Sequence, residues 1–321
     1  MRPELKALYT PAVVQQALDA FGVRESRLLT DWHAATYGGV RVDGGCIVRL
    51  SHSAHRTSLQ IEAELAWMRE LIAAGIAAPA PLPSVHGRFV ETFGADGAFT
   101  AVAFSLLRGR EISADDWAPR LFERWGQLIG QLHKFAVQQR PTHTRPPWHE
   151  SDFLNIERYI PDSEAMVKDR ARVLIAGIRT QSVTSPHYGL IHADVYQENL
   201  RLLDDGALEL YDFDNCEYGW FISDIAIALY AALWRVRDYS QRQAFSVRFL
   251  AALLRGYERE HHLPPSELAR LGDFLLLRDV LIYTVGCKQL DPANLNPLQT
   301  RLMSEHRARI SQGIPIVSVS F

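Results

Sequence analysis

The sequence has few cysteines, and their spacing is unsuited to crosslinking. Only Cys46, Cys216 and Cys287 occur among 321 residues, and none belongs to a CxxC pair. Isolated cysteines in an odd number favour buried free thiols over a disulfide framework or a zinc site. Stability must therefore come from an apolar core, for which 47% hydrophobic residues are ample.

Strong charge and long apolar runs are also lacking. The formal net charge is -3 and the pI is near 6.5, so the electrostatic footprint of a nucleic-acid-binding protein is absent. No apolar run approaches the length of a bilayer span, and the start, Met-Arg-Pro-Glu-Leu-Lys, lacks the apolar centre of a signal peptide. We therefore expect a cytoplasmic protein with no nucleic-acid or membrane partner.

Short extended segments dominate the first third of the chain. Asp43-Gly44-Gly45 is a turn signal between two strand-like runs, which predicts a β-hairpin. Residues 57–74 place apolar side chains at helical spacing, so one helix is expected beside the strands. The strand-like runs are 39–42, 46–50, 87–91 and 99–107.

Helical periodicity dominates beyond about residue 110. One hairpin interrupts it at residues 200–211, where Asp204-Asp205-Gly206 is the turn signal between two apolar strands. The periodic segments after this hairpin are 221–237, 241–260, 266–288 and 297–311.

Together the two patterns predict an α+β fold with two lobes. Residues 1–105 are expected to form a small lobe with a mixed β-sheet. Residues 106–321 are expected to form a mainly helical lobe that carries the hairpin.

Residues 189–214 hold the polar residues best suited to chemistry. His192-x-Asp194 is followed after four residues by Asn199 and, beyond the hairpin, by Asp212. This is the order in which a phosphoryl-transfer site supplies its base and then its metal ligands. Asp194 is thus the candidate base for the attacking hydroxyl, while Asn199 and Asp212 are candidate ligands of a magnesium ion that bridges nucleotide phosphates.

Two other residues of this stretch have less defined roles. His192 is expected to orient the loop through hydrogen bonds rather than to titrate during catalysis. Asp214 is either a further magnesium ligand or a contact for the acceptor, and the sequence leaves both roles open.

A cation and a carboxylate in the first lobe complete the candidate nucleotide site. Arg49 ends a strand-like run, and Glu64 lies on the helix that follows. Their order predicts an arginine that contacts nucleotide phosphates and is held by a helix carboxylate. Glu62 competes for this pairing, but the position of Glu64 beside Leu65 favours Glu64.

These residues resemble the aminoglycoside phosphotransferase and choline kinase superfamily, small-molecule kinases that share the protein-kinase fold. The resemblance covers most of the chain and is greatest for the branch that contains homoserine kinase and the bacterial stress-response kinase. Its specific motifs are the loop 192–199, Tyr211–Asp214 and Ser223–Ala226, and the supporting segments are 46–50, 64–67, 104–109 and 126–133.

The resemblance implies a protein-kinase-like fold with ATP and Mg²⁺ as cofactors. It also implies that Asp224 braces the catalytic loop and that the backbone of Ser105, Leu106 and Leu107 holds the adenine. The sequence departs from the family at two points. Arg49 stands where most members carry lysine, and no glycine-rich loop is evident, so residues 36–45 are assigned to cover the phosphates.

The acceptor is expected where the hairpin leads into the later helices. Asp214, Glu217, Tyr218 and Trp220 combine carboxylates with aromatic faces, which favours a cationic ligand. The predicted acceptor is therefore a small molecule such as an amino alcohol, an amino sugar or a homoserine-like compound. Both a monomer and a homodimer are compatible with the sequence.

Two alternative functions stay open. A Ser/Thr protein kinase of the stress-response type is disfavoured because only eleven residues separate Asp212 from Asp224, too few for a long activation segment. A nucleotide-binding pseudokinase scaffold is disfavoured because such a scaffold needs no base together with two metal ligands.

Overall fold

The computed structural model describes residues 3–138, 144–181, 183 and 186–319. The strands are β1 Glu25–Thr30, β2 Ala35–Arg41, β3 Gly44–His52, β4 Pro81–Leu82, β5 Glu91–Phe93, β6 Phe99–Ser105, β7 Arg110–Glu111, β8 Tyr188–Ile191, β9 Leu200–Leu202, β10 Leu208–Leu210 and β11 Glu217–Trp220. The α-helices are α1 Pro3–Lys6, α2 Pro11–Ala20, α3 Ser58–Ala73, α4 Pro119–Gln138, α5 Ile156–Tyr159, α6 Ala165–Arg179, α7 Phe221–Trp234, α8 Arg242–Tyr257, α9 Pro265–Leu268, α10 Leu271–Gln289 and α11 Pro297–Gln312.

The chain divides into two compact units. The first contains residues 1–111, 142–145 and 201–214, and the second contains 112–141, 146–200 and 215–321. The predicted boundary near residue 105 stays a prediction. Each unit gathers segments that contact one another in space, so neither unit is one continuous stretch of chain. The hairpin that was predicted within the helical lobe packs in the first unit from residue 201 onward.

An antiparallel sheet forms most of the first unit. Its strand order is β1-β2-β3-β6-β4, and β5 also pairs with β6. The helix expected at 57–74 is α3, which begins with a capping box in which Thr57 and Gln60 satisfy each other's backbone N–H groups. The hairpin predicted at 200–211 is also confirmed, since β9 pairs with β10 and, on its other side, with β7.

Helices dominate the second unit. The four periodic segments predicted after the hairpin correspond to α7, α8, α10 and α11, so these predictions are confirmed. β8 and β11 form a separate antiparallel pair, in which Glu217 lies opposite Ile191 and Trp220 opposite Tyr188. Helix α7 is buried on nearly all sides and is the central element of this unit's core.

The structure also shows the burial of the cysteines and the character of the helices. Cys46 and Cys216 are buried free thiols, and Cys287 is a half-buried one. Within the described ranges, no helix combines the length and the apolar character that crossing a bilayer would require.

Glycines allow α4 and α8 to cross with their backbones in contact. A Cβ atom added at Gly256 would lie 1.8 Å from the carbonyl oxygen of Glu123, and one at Gly126 would lie 1.8 Å from that of Leu253. Both obstacles are helix backbone, which cannot move aside as a flexible side chain does. The crossing therefore depends on glycine at both positions.

We expect Gly256→Ala to destabilise the protein by about 3 kcal/mol or more, the upper range for overpacked sites, because the two helices must separate. The change in the urea midpoint of unfolding measures this effect. Gly177→Ala is the matched control, since an added Cβ at this α6 position has no atom within 4 Å. Alanine there should stabilise the helix by about 0.5–1 kcal/mol. Equal midpoints for the two variants would contradict the close crossing.

Candidate active site

The loop between β8 and β9 contains the candidate base and is fixed by Asp224. The Asp224 carboxylate, on the first turn of α7, accepts the N–H groups of His192 at 3.1 Å and Ala193 at 2.9 Å. Ala193 has a φ of 61°, a conformation that costs a non-glycine residue free energy and persists here under these bonds. The bracing contact that the family resemblance implied for Asp224 is therefore present.

A buried histidine supports this brace from α4. His133 Nε2 lies 3.3 Å from Asp224 Oδ2, and its Nδ1 lies 2.9 Å from the hydroxyl of Tyr257. Its ring stacks on Phe221 with a centroid separation of 4.2 Å. Burial lowers the pKa of His133, against the opposing effect of Asp224, which favours the neutral ring.

His192 is fully buried and holds the next turn of the loop. Its Nδ1 accepts the N–H of Asp194 at 3.2 Å. The ring nitrogen is thus used to position the residue that carries the candidate base, and the predicted orienting role of His192 stays a prediction.

Three side chains contact Asp194 or fix its backbone. Asn199 donates to the carbonyl oxygen of Asp194 at 2.9 Å, and Asn215 donates to Oδ2 at 3.3 Å. Arg278 on α10 places Nη2 3.4 Å from Oδ1. The Asp194 side chain nevertheless keeps 14% of its surface exposed, so a small hydroxyl compound can reach it.

Sequence reasoning missed Asn215 and Arg278. Asn215 directly follows the acidic residues Asp212 and Asp214, and this position in the chain was a possible signal. Arg278 lies 84 residues beyond Asp194 within an ordinary apolar helix pattern, and no spacing signal pointed to it.

In the first unit, Arg49 and Glu64 form the predicted pair. Arg49 Nη1 and Nη2 donate to the two carboxylate oxygens of Glu64 at 3.0 and 2.7 Å, a bidentate contact, and both residues are buried. Glu62 is exposed, so the preference for Glu64 is confirmed. The Nε atom of Arg49 is buried and has no hydrogen-bond partner among the described residues.

Asp214 lies beside His55 and two arginines of the same unit. His55 Nε2 is 2.7 Å from Oδ2, Arg56 Nε is 3.6 Å from Oδ2, and Arg49 Nη1 is 3.8 Å from Oδ1. Burial alone raises the pKa of the Asp214 carboxyl, but the nearby Arg56 and His55 hold it well below its usual range. Asp214 therefore pairs with these side chains, while the two roles left open for it, magnesium ligand and acceptor contact, stay predictions.

A cavity of 270 Å³ in the first unit adjoins the Arg49–Glu64 pair. Ser105 and Leu107 line it, as predicted for an adenine site, whereas the half-exposed Leu106 packs towards Gly45. Ser105 also bonds to Ala80 through both its backbone N–H and its hydroxyl. The walls of the cavity are mostly apolar: Leu29, Ile47, Met68, Pro79, Phe104, Leu107 and Phe213 line it.

The cover predicted over residues 36–45 stays a prediction. These residues are paired strands of the β2–β3 hairpin, and Gly39 and Gly45 are sites of close packing against Val23 and Leu106. Thr36, the first residue of this range, lines the cavity together with Thr30, and the two flank the turn between β1 and β2. That turn, residues 31–34, carries no glycine, so no glycine-rich pattern marks it.

The four residues predicted to bind the acceptor are divided between the two units, and their shared role stays a prediction. Asp214 lies beside His55 and Arg56 in the first unit, while Glu217 and Tyr218 are half-buried in β11 of the second unit. Trp220 is only 2% exposed and lies between the Arg270 guanidinium, 4.3 Å from its ring centre, and Tyr188. Trp220 is thus a core anchor in this structure.

The structure contains a braced loop with a reachable carboxylate and a buried arginine–glutamate pair beside an apolar cavity. These features are typical of a phosphoryl-transfer enzyme with a kinase-like fold. The chain belongs to the phosphotransferase enzyme family, which matches residues 26–268. The family resemblance seen in the sequence is confirmed.

Known relatives extend this assignment over the whole chain. The amicoumacin kinase of Bacillus subtilis strain 168 is 29% identical over 324 residues, 98% of this chain and 96% of that protein. The solved amicoumacin kinase hAmiN, in complex with AMP-PNP, Ca²⁺ and Ami, is 30% identical and superposes with a TM-score of 0.94, covering 100% of this chain and 98% of that one. A microcompartment-associated aminopropanol kinase shares the fold at 23% identity with a TM-score of 0.74, over 94% of this chain and 95% of that one. The protein is therefore a phosphotransferase, and the predicted fold is confirmed.

Proposed function

We propose that the protein transfers the γ-phosphoryl group of ATP, in the presence of Mg²⁺, to a hydroxyl group of a small metabolite. The observation that carries the proposal is the fixed yet reachable carboxylate of Asp194 on a loop braced by Asp224. The similarity to a kinase solved with AMP-PNP and Ca²⁺ supports a nucleotide and a divalent cation as cofactors.

The residues of the first unit fit a nucleotide. The apolar walls of the 270 Å³ cavity suit a planar base, and Arg49 carries a buried N–H that has no partner among the described residues. Arg49 would thus contact the phosphates while Glu64 holds its fork. Ser105 and Leu107 would border the base, whereas Leu106 would act only through its backbone.

Asn199 and Asp212 are the side chains that we propose as metal ligands. Among the described residues, no three His, Cys, Asp or Glu side chains form a ready-made metal cage. Magnesium does not need one, because it is commonly held by one or two carboxylates together with substrate phosphates. When bound, the ion would neutralise charge on the nucleotide phosphates.

Asp194 is the proposed base. The acceptor oxygen forms a bond to the γ-phosphorus, the bond from that phosphorus to the bridging oxygen of ADP breaks, and the hydroxyl proton passes to the Asp194 carboxylate. His192, Asn199 and Asn215 hold Asp194 for this step through the bonds given above.

The acceptor is proposed to be a small compound that combines a hydroxyl with an amine. Amicoumacin is the first compound to test, because two relatives that match 98% and 100% of the chain are amicoumacin kinases. Glu217 and Tyr218 on β11 are the proposed acceptor contacts in the second unit. Amino alcohols, amino sugars and homoserine are the other candidates.

The test is an assay of the purified protein with ATP, MgCl₂ and each acceptor, in which ADP formation and the phosphorylated product are both measured. We expect product from at least one acceptor and its loss when EDTA removes the metal. Phosphate incorporation into casein or into the protein itself, with none into small molecules, would replace this proposal with a protein kinase. Nucleotide binding without any transfer would favour a scaffold.

Arg278 is expected to contribute to turnover. A guanidinium has five N–H donors, and the contact with Asp194 uses only one of its terminal nitrogens, so others can meet an oxygen of the reacting groups. We expect Arg278→Ala to lower kcat by about 100-fold, the usual cost of losing a donor to developing charge, and Arg278→Lys to recover part of it. Arg172→Gln, at an exposed ion pair with Glu157, is the control. A kcat for Arg278→Ala equal to that of the control would rule out this role.

A further inference from the structure

The second unit contains a cavity that the proposed reaction does not use. It has a volume of 410 Å³ and lies between the C-terminal end of α7, the start of α8 and one side of α11. Large apolar and aromatic side chains form part of its surface and remain open to solvent. Trp234 is 42% exposed, Tyr239 is 44% exposed and Leu298 is 56% exposed.

The polar side chains of this cavity are mostly cationic. Arg237, Arg242, Arg301 and Arg309 line it, against a single carboxylate, Glu305. Glu305 is already shared, since Arg301 lies 3.4 Å and Arg309 3.8 Å from its oxygens. The lining therefore has a surplus of positive charge.

Two of these arginines are available to a ligand. Within the described ranges, neither Arg237 nor Arg242 has a carboxylate within ion-pair distance. The Arg242 guanidinium lies 3.6 Å from the ring centre of Tyr239, and its Nε is buried with no hydrogen-bond partner in the described chain. A buried donor of this kind costs free energy until an acceptor reaches it.

The inner wall of the cavity is rigid. Arg309 donates through Nε and Nη2 to Oδ1 of the buried Asp279 at 2.9 and 2.7 Å, and the hydroxyl of Tyr230 donates to the same oxygen at 2.6 Å. The ring of Trp234 stacks against the buried His306 with a centroid separation of 6.0 Å. These contacts fix the aromatic floor and one cationic edge before any ligand arrives, which lowers the entropy cost of binding.

The cavity is separate from the catalytic loop within the same unit. Asp224, which braces the loop, and Trp234 lie at opposite ends of α7. Their separation of ten residues corresponds to about 15 Å along a helix axis. A ligand of the cavity is therefore distinct from the phosphoryl acceptor at Asp194.

We propose that this cavity binds a small aromatic anion, a planar apolar body that carries a carboxylate or phosphate group. The planar body lies on Trp234 and Leu298, where aromatic and aliphatic surface is exposed. The anionic group is bound by Arg237 and Arg242, whose forks match two oxygens of a carboxylate or phosphate. A ligand with only a charge would leave the aromatic surface uncovered, and a ligand with only apolar surface would leave Arg237 and Arg242 without an anion.

The test is calorimetric titration of the full chain with naphthoate and naphthyl phosphate, with naphthalenemethanol and naphthylmethylamine as neutral and cationic counterparts. Saturating ADP and Mg²⁺ are present in a parallel series, so that binding in the cavity of the first unit is recognised by competition. We expect both anions to bind at least 10-fold more tightly than their counterparts, with an affinity that falls as salt rises.

Variants locate the binding. Arg242→Gln and the exposed Arg237→Gln should each weaken naphthoate binding by about 10-fold or more, as expected for the loss of one charged hydrogen bond. Arg255→Gln, also on α8 but paired with Glu123, should leave it unchanged. Phosphotransfer should be the same in all three proteins, which separates a failure of this proposal from a failure of the proposed reaction. Absent binding, or binding that is equal in Arg237→Gln, Arg242→Gln and Arg255→Gln, would overturn the proposal.

Discussion

Replacing Asp194 with asparagine is expected to lower kcat by about 10³-fold, because a positioned general base contributes typically 10²–10⁴-fold to a rate. The amide keeps the size of the side chain and one acceptor oxygen, so the contacts with Asn215 or Arg278 need not all be lost. It cannot take the proton of the attacking hydroxyl. Single-turnover rates with ATP, Mg²⁺ and the best acceptor measure the effect on the chemical step.

The same substitution should leave nucleotide binding nearly unchanged, because Asp194 is not among the residues that line the cavity beside Arg49. Asp204→Asn is the matched control, an identical chemical change at an exposed turn of the hairpin. Its kcat should equal that of the unaltered protein. If Asp194→Asn turned over as fast as Asp204→Asn, Asp194 would not be the base.

Local periodicity was enough to predict much of the fold. Helices α7, α8, α10 and α11 were predictable because a 3.6-residue repeat of apolar side chains is a property of each segment alone. The hairpin of β9 and β10 was predictable because Asp204-Asp205-Gly206 interrupts two apolar runs at a distance that suits a turn. In each case the deciding interaction lies within a few residues of sequence.

The Arg49–Glu64 pair was predictable for a related reason. Fifteen residues separate the two, and a strand followed by a helix that packs on it brings such positions together. Arg278 offered no comparable signal. Its contact with Asp194 depends on how α10 packs against other elements of the second unit, which a single sequence does not encode as a spacing.

Asp214 and Trp220 show a different limit. An acidic residue and an aromatic residue after a hairpin suit a cationic ligand, and nothing in their local sequence shows which other side chains approach them. In the structure, His55 and Arg56, about 160 residues earlier in the chain, contact Asp214, and Arg270 contacts the ring of Trp220. The local sequence does not show these contacts, and the assignment of Asp214 and Trp220 to an acceptor stays a prediction.

Replacing Arg49 with methionine is expected to have two separable effects. The Glu64 carboxylate would stay buried without its bidentate partner, which typically costs about 3–5 kcal/mol of stability. The proposed contact with the nucleotide phosphates would also be lost. A single variant cannot distinguish weak nucleotide binding from partial unfolding.

A second substitution separates the two effects. In the double variant Arg49→Met with Glu64→Gln, the buried charge is removed from both partners, so most of the lost stability should return. Nucleotide affinity should stay low by about 10-fold or more, in line with a lost charged contact. Arg69→Met, at an exposed position of α3 over the ring of Phe89, is the control and should change the free energy of unfolding by less than about 0.5 kcal/mol.

Thermal unfolding with and without ADP and Mg²⁺ reports both quantities, since a nucleotide that binds only the folded protein raises its midpoint by mass action. The double variant should unfold near the midpoint of the unaltered protein in the absence of nucleotide and gain little when nucleotide is added. A full nucleotide-dependent shift in the double variant would show that Arg49 serves the fold of the first unit alone. The phosphates would then be held by other groups that line the cavity, among which Thr30 and Thr36 flank the turn between β1 and β2.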